Sequence, residues 1–79
     1  MNTFLILVTY KTRPGVREEF LNKIYASDIL KKIHQENGCI SYSYYLDADD
    51  SDTILLLEEW ESEACQKAHM QTLHMKEFM

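Results

Sequence analysis

The sequence predicts an α+β fold of the ferredoxin-like type, in the order β-α-β-β-α around an antiparallel sheet, without the last strand of that unit. Three observations predict it. Three segments are rich in β-branched and aromatic residues, apolar residues at helical spacing fill the region between the first two, and an amphipathic segment follows the third. Residues 1–79 suffice for a single domain with a small core.

The first strand and the helix after it are the clearest elements. Residues 3–11, "TFLILVTYK", have a continuous apolar core, which is typical of a strand covered on both faces. The stretch "TRPG" ends it, and Pro14 suits the first turn of a helix. Val16, Phe20 and Ile24 then recur at helical spacing.

The helical region contains a break in phase. A second apolar set fits a helix only on a face rotated away from the first set: Ile29, Leu30 and Ile33. The break falls at Ser27 and Asp28, both good N-cap residues. We expect a kink there or a second short helix that ends near Gly38, since glycine accepts the left-handed conformation found after helices.

The second half of the chain predicts two strands and a helix. Residues 39–48 are dense in tyrosine and form strand two, the acidic stretch "DADDSD" is a solvated turn, and residues 53–61 form strand three. Ser62 is the expected N-cap of the last helix, which restarts after Thr72. Four residues fall roughly on one helical face there: Ala64, Ala68, Met75 and Phe78.

Strands one and three are apolar at both alternating sets of positions, but the two helical regions cover only one face of the sheet. The economical cover for the other face is the same sheet of a second copy. We therefore expect a homodimer, which also supplies burial that so short a chain lacks.

Composition excludes several classes of function. Thirteen acidic and eight basic residues give a net charge of −5, which opposes nucleic-acid binding. The longest uncharged apolar run, Phe4 to Val8, is too short to cross a membrane. No leader precedes the first strand, so we expect a cytoplasmic protein with Cys39 and Cys65 reduced. Two glycines leave no loop for a nucleotide or flavin cofactor.

Histidines of the last helical region are candidates for proton transfer. An imidazole has an unperturbed pKa of about 6.5, so His69 could act as a base if it faces a cavity, or it could simply pack and bond a backbone carbonyl. His74 is a second pocket group or a cap. Cys65, His69 and His74 lack the spacing of a metal motif and a convincing fourth ligand, so we expect no metal.

Strands two and three carry candidate pocket walls. Trp60 shares its strand face with Glu58, which is either a pocket base or a rim residue in solvent. Tyr42 and Tyr44 share a face of strand two, where they could contact an aromatic ligand or anchor a dimer interface.

Several stretches together resemble the antibiotic biosynthesis monooxygenase family, and within it the quinol monooxygenases. They are "TRPG", "ENGCISY" and above all "EEWESEACQKAHMQTLHMKEF", so that the likeness runs from about residue 9 to residue 79. The resemblance implies a dimeric ferredoxin-like α/β barrel with a pocket in each subunit. Family members continue into a fourth strand, whereas this sequence ends at Met79. Either it is a natural short form, which would leave a sheet edge unpaired, or that segment has been cut from this sequence.

The resemblance also implies chemistry. Some members oxygenate quinols or phenols with no metal or flavin, because the deprotonated substrate itself passes an electron to dioxygen. His69 would then be the base, and Trp60, Tyr42 and Tyr44 the walls. We expect a small aromatic substrate and dioxygen as partners and no cofactor. The alternative is a non-catalytic or regulatory dimer that binds a small hydrophobic metabolite.

Overall fold

The computed structural model describes residues 2–78, and the side chain of Phe78 and all of Met79 lie outside that description. The elements are β1 (Phe4–Lys11), α1 (Arg17–Ala26), α2 (Ile29–His34), β2 (Cys39–Leu46), β3 (Thr53–Trp60), α3 (Glu63–Met70) and α4 (Leu73–Phe78). This order confirms the predicted α+β, ferredoxin-like arrangement. Within residues 2–78, no helix is both long and apolar enough to cross a membrane.

The sheet has three antiparallel strands in the order β1-β3-β2, and the central strand β3 is the most buried of them. β3 pairs with β1 along its whole length, from Phe4 opposite Trp60 to Lys11 opposite Thr53. Its pairing with β2 is irregular between Cys39 and Ser41. After that irregularity Tyr42 lies opposite Glu58 and Tyr44 opposite Leu56, so these alternate residues of the two strands share one face of the sheet.

The first helix begins later than the sequence predicted. Pro14 does not lie in it, because α1 starts at Arg17. The stretch "TRPG" instead makes a turn in which the Val16 N–H donates to the Arg13 carbonyl at 3.3 Å. Gly15 has a φ of 79°. Proline followed by glycine with positive φ is the signature of a type II turn, and that φ does not fit a helix.

The predicted phase break is confirmed, since α1 ends at Ala26 and α2 begins at Ile29. Ser27 connects the two helices through its hydroxyl, which donates to the Ile24 carbonyl at 2.7 Å. α2 ends at His34, earlier than expected. Gly38 does have a positive φ, 84°, but in the connection to β2. A Cβ there would lie 2.8 Å from the Cβ of Cys65, so close approach also requires glycine.

The N-terminus of α3 was predicted correctly, but its buried face was not. The Ser62 hydroxyl accepts the Cys65 N–H at 3.2 Å as an N-cap. Ala64 and Ala68, expected on the core face, are exposed, and the buried residue of α3 is His69. The helix ends at Met70 and α4 begins at Leu73. Met75 lies in the core, but it belongs to α4 and not to the same helix as Ala64 and Ala68.

The helices cover one face of the sheet, where Leu56 and Trp60 of β3 join Ile24 and Ile33 of the helices in the core. The opposite face lies open in the single chain. Leu5 and Leu7 of β1 are 61% and 64% exposed there, so cover for the second face of β1, expected from a second copy, stays a prediction.

Candidate active site

A small cavity lies between the helices and the covered face of the sheet. Its volume is about 180 Å³. The lining residues come from both sheet edges, the central strand and three helices: Tyr10, Phe20, Tyr42, Tyr44, Glu58, His69, Met70 and Met75. The wall is therefore aromatic and apolar, with two residues that can exchange protons.

His69 is the most constrained of these residues, with only 1% of its surface exposed. Its ring lies against the indole of Trp60, with ring centroids 4.7 Å apart, and edge-on to Tyr42 at 5.6 Å. Its Nδ1 lies 2.9 Å from one carboxylate oxygen of Glu36 and 3.1 Å from the other. Packing and hydrogen bonding together fix the ring in one orientation.

The Glu36 carboxylate determines which ring nitrogen of His69 carries the proton. A carboxylate only accepts hydrogen bonds, so Nδ1 is the donor and, in the neutral ring, Nε2 holds the lone pair. No hydrogen bond to Nε2 occurs among residues 2–78, and His69 lines the cavity. Nε2 is thus the ring nitrogen available to a ligand as an acceptor.

Glu58 is the second proton-accepting group of the cavity and is only 6% exposed. One of its carboxylate oxygens accepts the indole N–H of Trp60 at 2.9 Å. The two residues are neighbours on the same face of β3, as predicted. The indole thereby compensates part of the cost of burying a carboxylate and holds its direction.

The tyrosines of the cavity are kept neutral. Burial raises the pKa of Tyr44 to about 12, and burial followed by the neighbouring Tyr44 raises that of Tyr42 still further. The nearby Glu58 carboxylate adds to both shifts. The two rings meet edge to face with centroids 6.1 Å apart. They provide neutral aromatic walls, and neither is suited to be the base near neutral pH.

The predicted site residues separate into two groups. His69, Glu58, Tyr42 and Tyr44 line the cavity together. Trp60 and His74 do not. Trp60 is fully buried behind the His69 ring, so it supports the cavity rather than walling it.

His74 approaches Glu36 from outside the cavity, and its Nε2 donates to a carboxylate oxygen of Glu36 at 2.7 Å. Glu36 therefore joins the two histidines, although it was not among the residues predicted for the site. Its position in "ENGCISY", directly before β2, was the only signal, because the contact with His69 spans 33 residues.

Glu36, His69 and His74 also form a cluster of possible metal ligands. One donor atom from each lies within 4.8 Å of the others. Cys65, which the sequence grouped with the two histidines, is not a member of that cluster and is a free thiol.

Comparison with known proteins identifies the family. Residues 3–79 match the family model described as antibiotic biosynthesis monooxygenase. "Putative monooxygenase YcnE" of Bacillus subtilis is 32% identical over 76 residues, which are 95% of this chain and 78% of that protein. "Probable quinol monooxygenase YgiN" of Escherichia coli is 31% identical over 83 residues, covering 92% of this chain and 78% of that protein.

A third relative is longer. "Uncharacterized protein sll1783" of Synechocystis is 33% identical over 69 residues, and the match covers 87% of this chain but only 46% of that protein. Among solved structures, a "Putative antibiotic biosynthesis monooxygenase" from Nitrosomonas europaea superposes with a TM-score of 0.84 at 18% identity, over 96% of this chain and 71% of the other. That likeness concerns the fold alone. The family match and the relatives above 30% identity establish that the chain belongs to the antibiotic biosynthesis monooxygenase family.

Proposed function

We propose that this protein is a cofactor-independent monooxygenase that acts on a quinol or another electron-rich phenol. One observation carries the proposal: a buried histidine, bonded to a carboxylate through Nδ1, lines a small aromatic cavity. Membership of the family and the relative named as a probable quinol monooxygenase support the same reaction class.

His69 is the proposed base. The hydrogen bond from Nδ1 to Glu36 leaves the Nε2 lone pair as acceptor for a phenolic O–H. When Nε2 takes that proton, the ring becomes a cation beside the Glu36 carboxylate, which stabilises it. The phenolate that results is the electron-rich species that reacts with dioxygen.

The reaction balances without an external reductant. For a hydroquinone, one atom of dioxygen forms a new C–O bond to the ring and the other leaves as water, so the products are a hydroxyquinone and water. The substrate supplies all four electrons, since it loses its two O–H hydrogens and gains one hydroxyl in place of a ring hydrogen. The proton taken by His69 returns to the departing oxygen.

Glu58 gives the site a preference for the reduced substrate. A hydroquinone has two O–H donors, whereas the hydroxyquinone product has one. Nε2 of His69 and the carboxylate of Glu58 are both acceptors, so at least one of them would face a carbonyl of the product with no proton to share. We infer that the quinol binds more tightly than the product, which is therefore released.

The size of the cavity favours one aromatic ring. A cavity of roughly 150 Å³ is enough to hold benzene in a protein interior. The cavity here, about 180 Å³, suits a monocyclic quinol. Met70 and Met75 can adjust their flexible side chains around ring substituents.

The homodimer expected from the sequence is part of the proposal. The uncovered sheet face carries Leu5, Leu7 and Tyr45, each more than half exposed. An apolar face of this kind, on a chain with a small core, marks a protein contact. A second copy presents the same self-complementary surface.

Oxygen uptake tests the proposed reaction. Purified protein is supplied with monocyclic and bicyclic quinols, and the rate is corrected for autoxidation with heat-denatured protein. We expect catalysed uptake of one dioxygen per quinol, faster with the monocyclic substrates, and a hydroxyquinone as product. Binding of quinols without any uptake above autoxidation would instead support the alternative, a non-catalytic dimer that binds a small metabolite.

A further inference from the structure

The cluster of Glu36, His69 and His74 has a geometry that the proposed oxygenase reaction does not require. His69 Nδ1 and His74 Nε2 converge on the same carboxylate oxygen, at 2.9 Å and 2.7 Å. The reaction uses the contact between Glu36 and His69. A second imidazole aimed at the same oxygen from outside the cavity needs another explanation.

The spacing of these donor atoms fits one metal ion. Zinc binds imidazole nitrogen and carboxylate oxygen at about 2.0–2.2 Å, so two ligands of one ion lie at most about 4.4 Å apart. All three donor atoms lie within 4.8 Å of one another, which is close to that limit, and the two contacts to the carboxylate are 2.9 Å and 2.7 Å long. An ion among them would take the place of the two shared protons, and the side chains would shift until each donor atom lies about 2.0–2.2 Å from it.

The donor set and its surroundings indicate the kind of ion. Two imidazoles and one carboxylate suit zinc and similar divalent transition metals, whereas magnesium and calcium prefer oxygen alone. The cluster reaches solvent, since the side chains of His74 and Glu36 are 18% and 11% exposed. Beside His74 lies a surface hollow lined also by Asp28, Glu77 and Lys32, so the charged side chains next to His74 carry one excess negative charge.

We propose that Glu36, His69 and His74 bind one divalent transition-metal ion of the zinc class, and that the bound ion switches off the base of the neighbouring cavity. The binding stands on the geometry of the three residues alone. The inhibition rests on the proposed function, because it concerns the role of His69 there.

The inhibition follows because a neutral imidazole ring carries one proton, and a metal on one nitrogen places that proton on the other. In the metal-free protein Nδ1 carries the proton and Nε2 accepts. An ion bound to Nδ1 takes the place of that proton, so the neutral ring carries its proton on Nε2. Nε2 then donates a hydrogen bond into the cavity and can no longer remove a phenolic proton.

Zinc binding to the substrate-free protein tests the site directly. Protein freed of metal with a chelator is titrated with zinc chloride in a calorimeter, and cobalt(II) is added separately to record the absorption of a nitrogen and oxygen site. We expect one ion per chain and a melting temperature that rises with zinc. Absence of zinc binding in the folded parent would overturn the proposal.

Matched variants identify the ligands. His74→Gln keeps an N–H donor for Glu36 but is a poor ligand, and it should weaken zinc binding at least about 100-fold, since even supporting residues of metal sites are worth 10- to 100-fold. Cys39→Ser with Cys65→Ser is the control, because free thiols also bind zinc. Loss of binding in the thiol variant, or unchanged affinity in a folded His74→Gln, would contradict the site. Glu36→Gln serves as a second ligand variant if His74→Gln does not fold.

Nitrogen-15 NMR of the histidine rings separates the two parts of the proposal. Zinc should change Nε2 of His69 from an unprotonated to a protonated nitrogen, with no substrate present. Zinc binding without that change would refute the proposed inhibition of His69 but would still support the metal-binding site. A protein that shows both but never consumes oxygen would contradict the proposed function instead.

Discussion

Glu36 and His69 lie 33 positions apart in the sequence, yet a carboxylate oxygen and Nδ1 meet at 2.9 Å beside a ring that is almost fully buried. This contact leaves Nε2 as the acceptor at the cavity. The contact between Glu36 and His69 joins the connection before β2 to the last helical region. The other residues of the candidate site lie around the His69 ring.

Glu36→Gln tests the positioning role of that carboxylate. The amide can donate to Nδ1, which moves the ring proton to Nε2 and removes the acceptor from the cavity. A wrong tautomer in a comparable Asp–His pair costs about 10⁴-fold in kcat, so we expect a loss between about 10²- and 10⁴-fold with little change in KM. Steady-state oxygen uptake measures both constants.

The control for that variant is Glu63→Gln, which neutralises an exposed glutamate of α3 that pairs with Lys67 at 3.7 Å. It should keep the parent rate. If Glu36→Gln is folded and equally active, Glu36 does not set the tautomer of His69.

Gly38→Ala tests the close approach between the connection before β2 and α3. A positive φ costs about 1–2 kcal/mol for an ordinary residue, and the new Cβ would also lie 2.8 Å from the Cβ of Cys65. Gly15→Ala is the matched control, because Gly15 has a similar φ of 79° and open space around it. Urea unfolding should show a larger loss of stability for Gly38→Ala. Equal losses would mean that the contact with Cys65 relaxes without cost.

Leu7→Glu tests the proposed dimer face. The side chain is 64% exposed in the single chain, and a charge there would be buried against a second copy. We expect the parent to sediment as a dimer and to lose folded structure on dilution, and the variant to dissociate at higher concentration. Leu73→Glu, at a similarly exposed leucine of α4, is the control. A parent that stays a folded monomer at nanomolar concentration contradicts the dimer.

The raised pKa of Tyr44 predicts that the protein loses stability in alkali. Burial raises the pKa of its hydroxyl to about 12, from the ordinary value of 10.0. Between these values the unfolded chain has released the proton and the folded chain has kept it, so the free energy of unfolding falls as the pH rises. The stabilisation is complete below pH 10 and lost above the folded pKa.

Denaturant unfolding of the parent and Tyr44→Phe across that pH range checks the prediction. The variant has no proton to lose at this position, so its stability should decline less steeply. Tyr25→Phe, at an exposed tyrosine of α1 on the helical side of the sheet, should follow the parent more closely than Tyr44→Phe does. Identical slopes for the parent and Tyr44→Phe would show that the hydroxyl ionises alike in both states.

Local sequence patterns predicted most of the fold. The strands and the break at Ser27 and Asp28 followed from hydrophobic spacing, and the Ser62 cap followed from its side chain. The errors arose where contacts distant in sequence decide the outcome. Pro14 was predicted in the first turn of a helix, but Gly15 takes the left-handed conformation and a turn forms instead. Ala68 was placed on the apolar face of the last helical region, but it is exposed, and the buried residue of α3 is His69.

The candidate site was only partly predictable for the same reason. Alternation along β3 predicted that Glu58 and Trp60 share one face. It did not predict that the indole of Trp60 packs against the ring of His69. Nothing local links Glu36 to His69, because that contact depends on how α2, β2 and α3 pack together. The distinction between His69 in the cavity and His74 outside it likewise follows from the break between α3 and α4.

Oxygen uptake by His69→Gln tests directly whether His69 is the base of the proposed reaction. Glutamine keeps a polar side chain of similar reach but cannot accept the phenolic proton as a base, and positioned proton transfer contributes about 10²- to 10⁴-fold to rate. With a monocyclic quinol, corrected for autoxidation and with folding checked by circular dichroism, we expect a loss of that size. A folded His69→Gln that consumes oxygen at the parent rate would show that His69 is not the base.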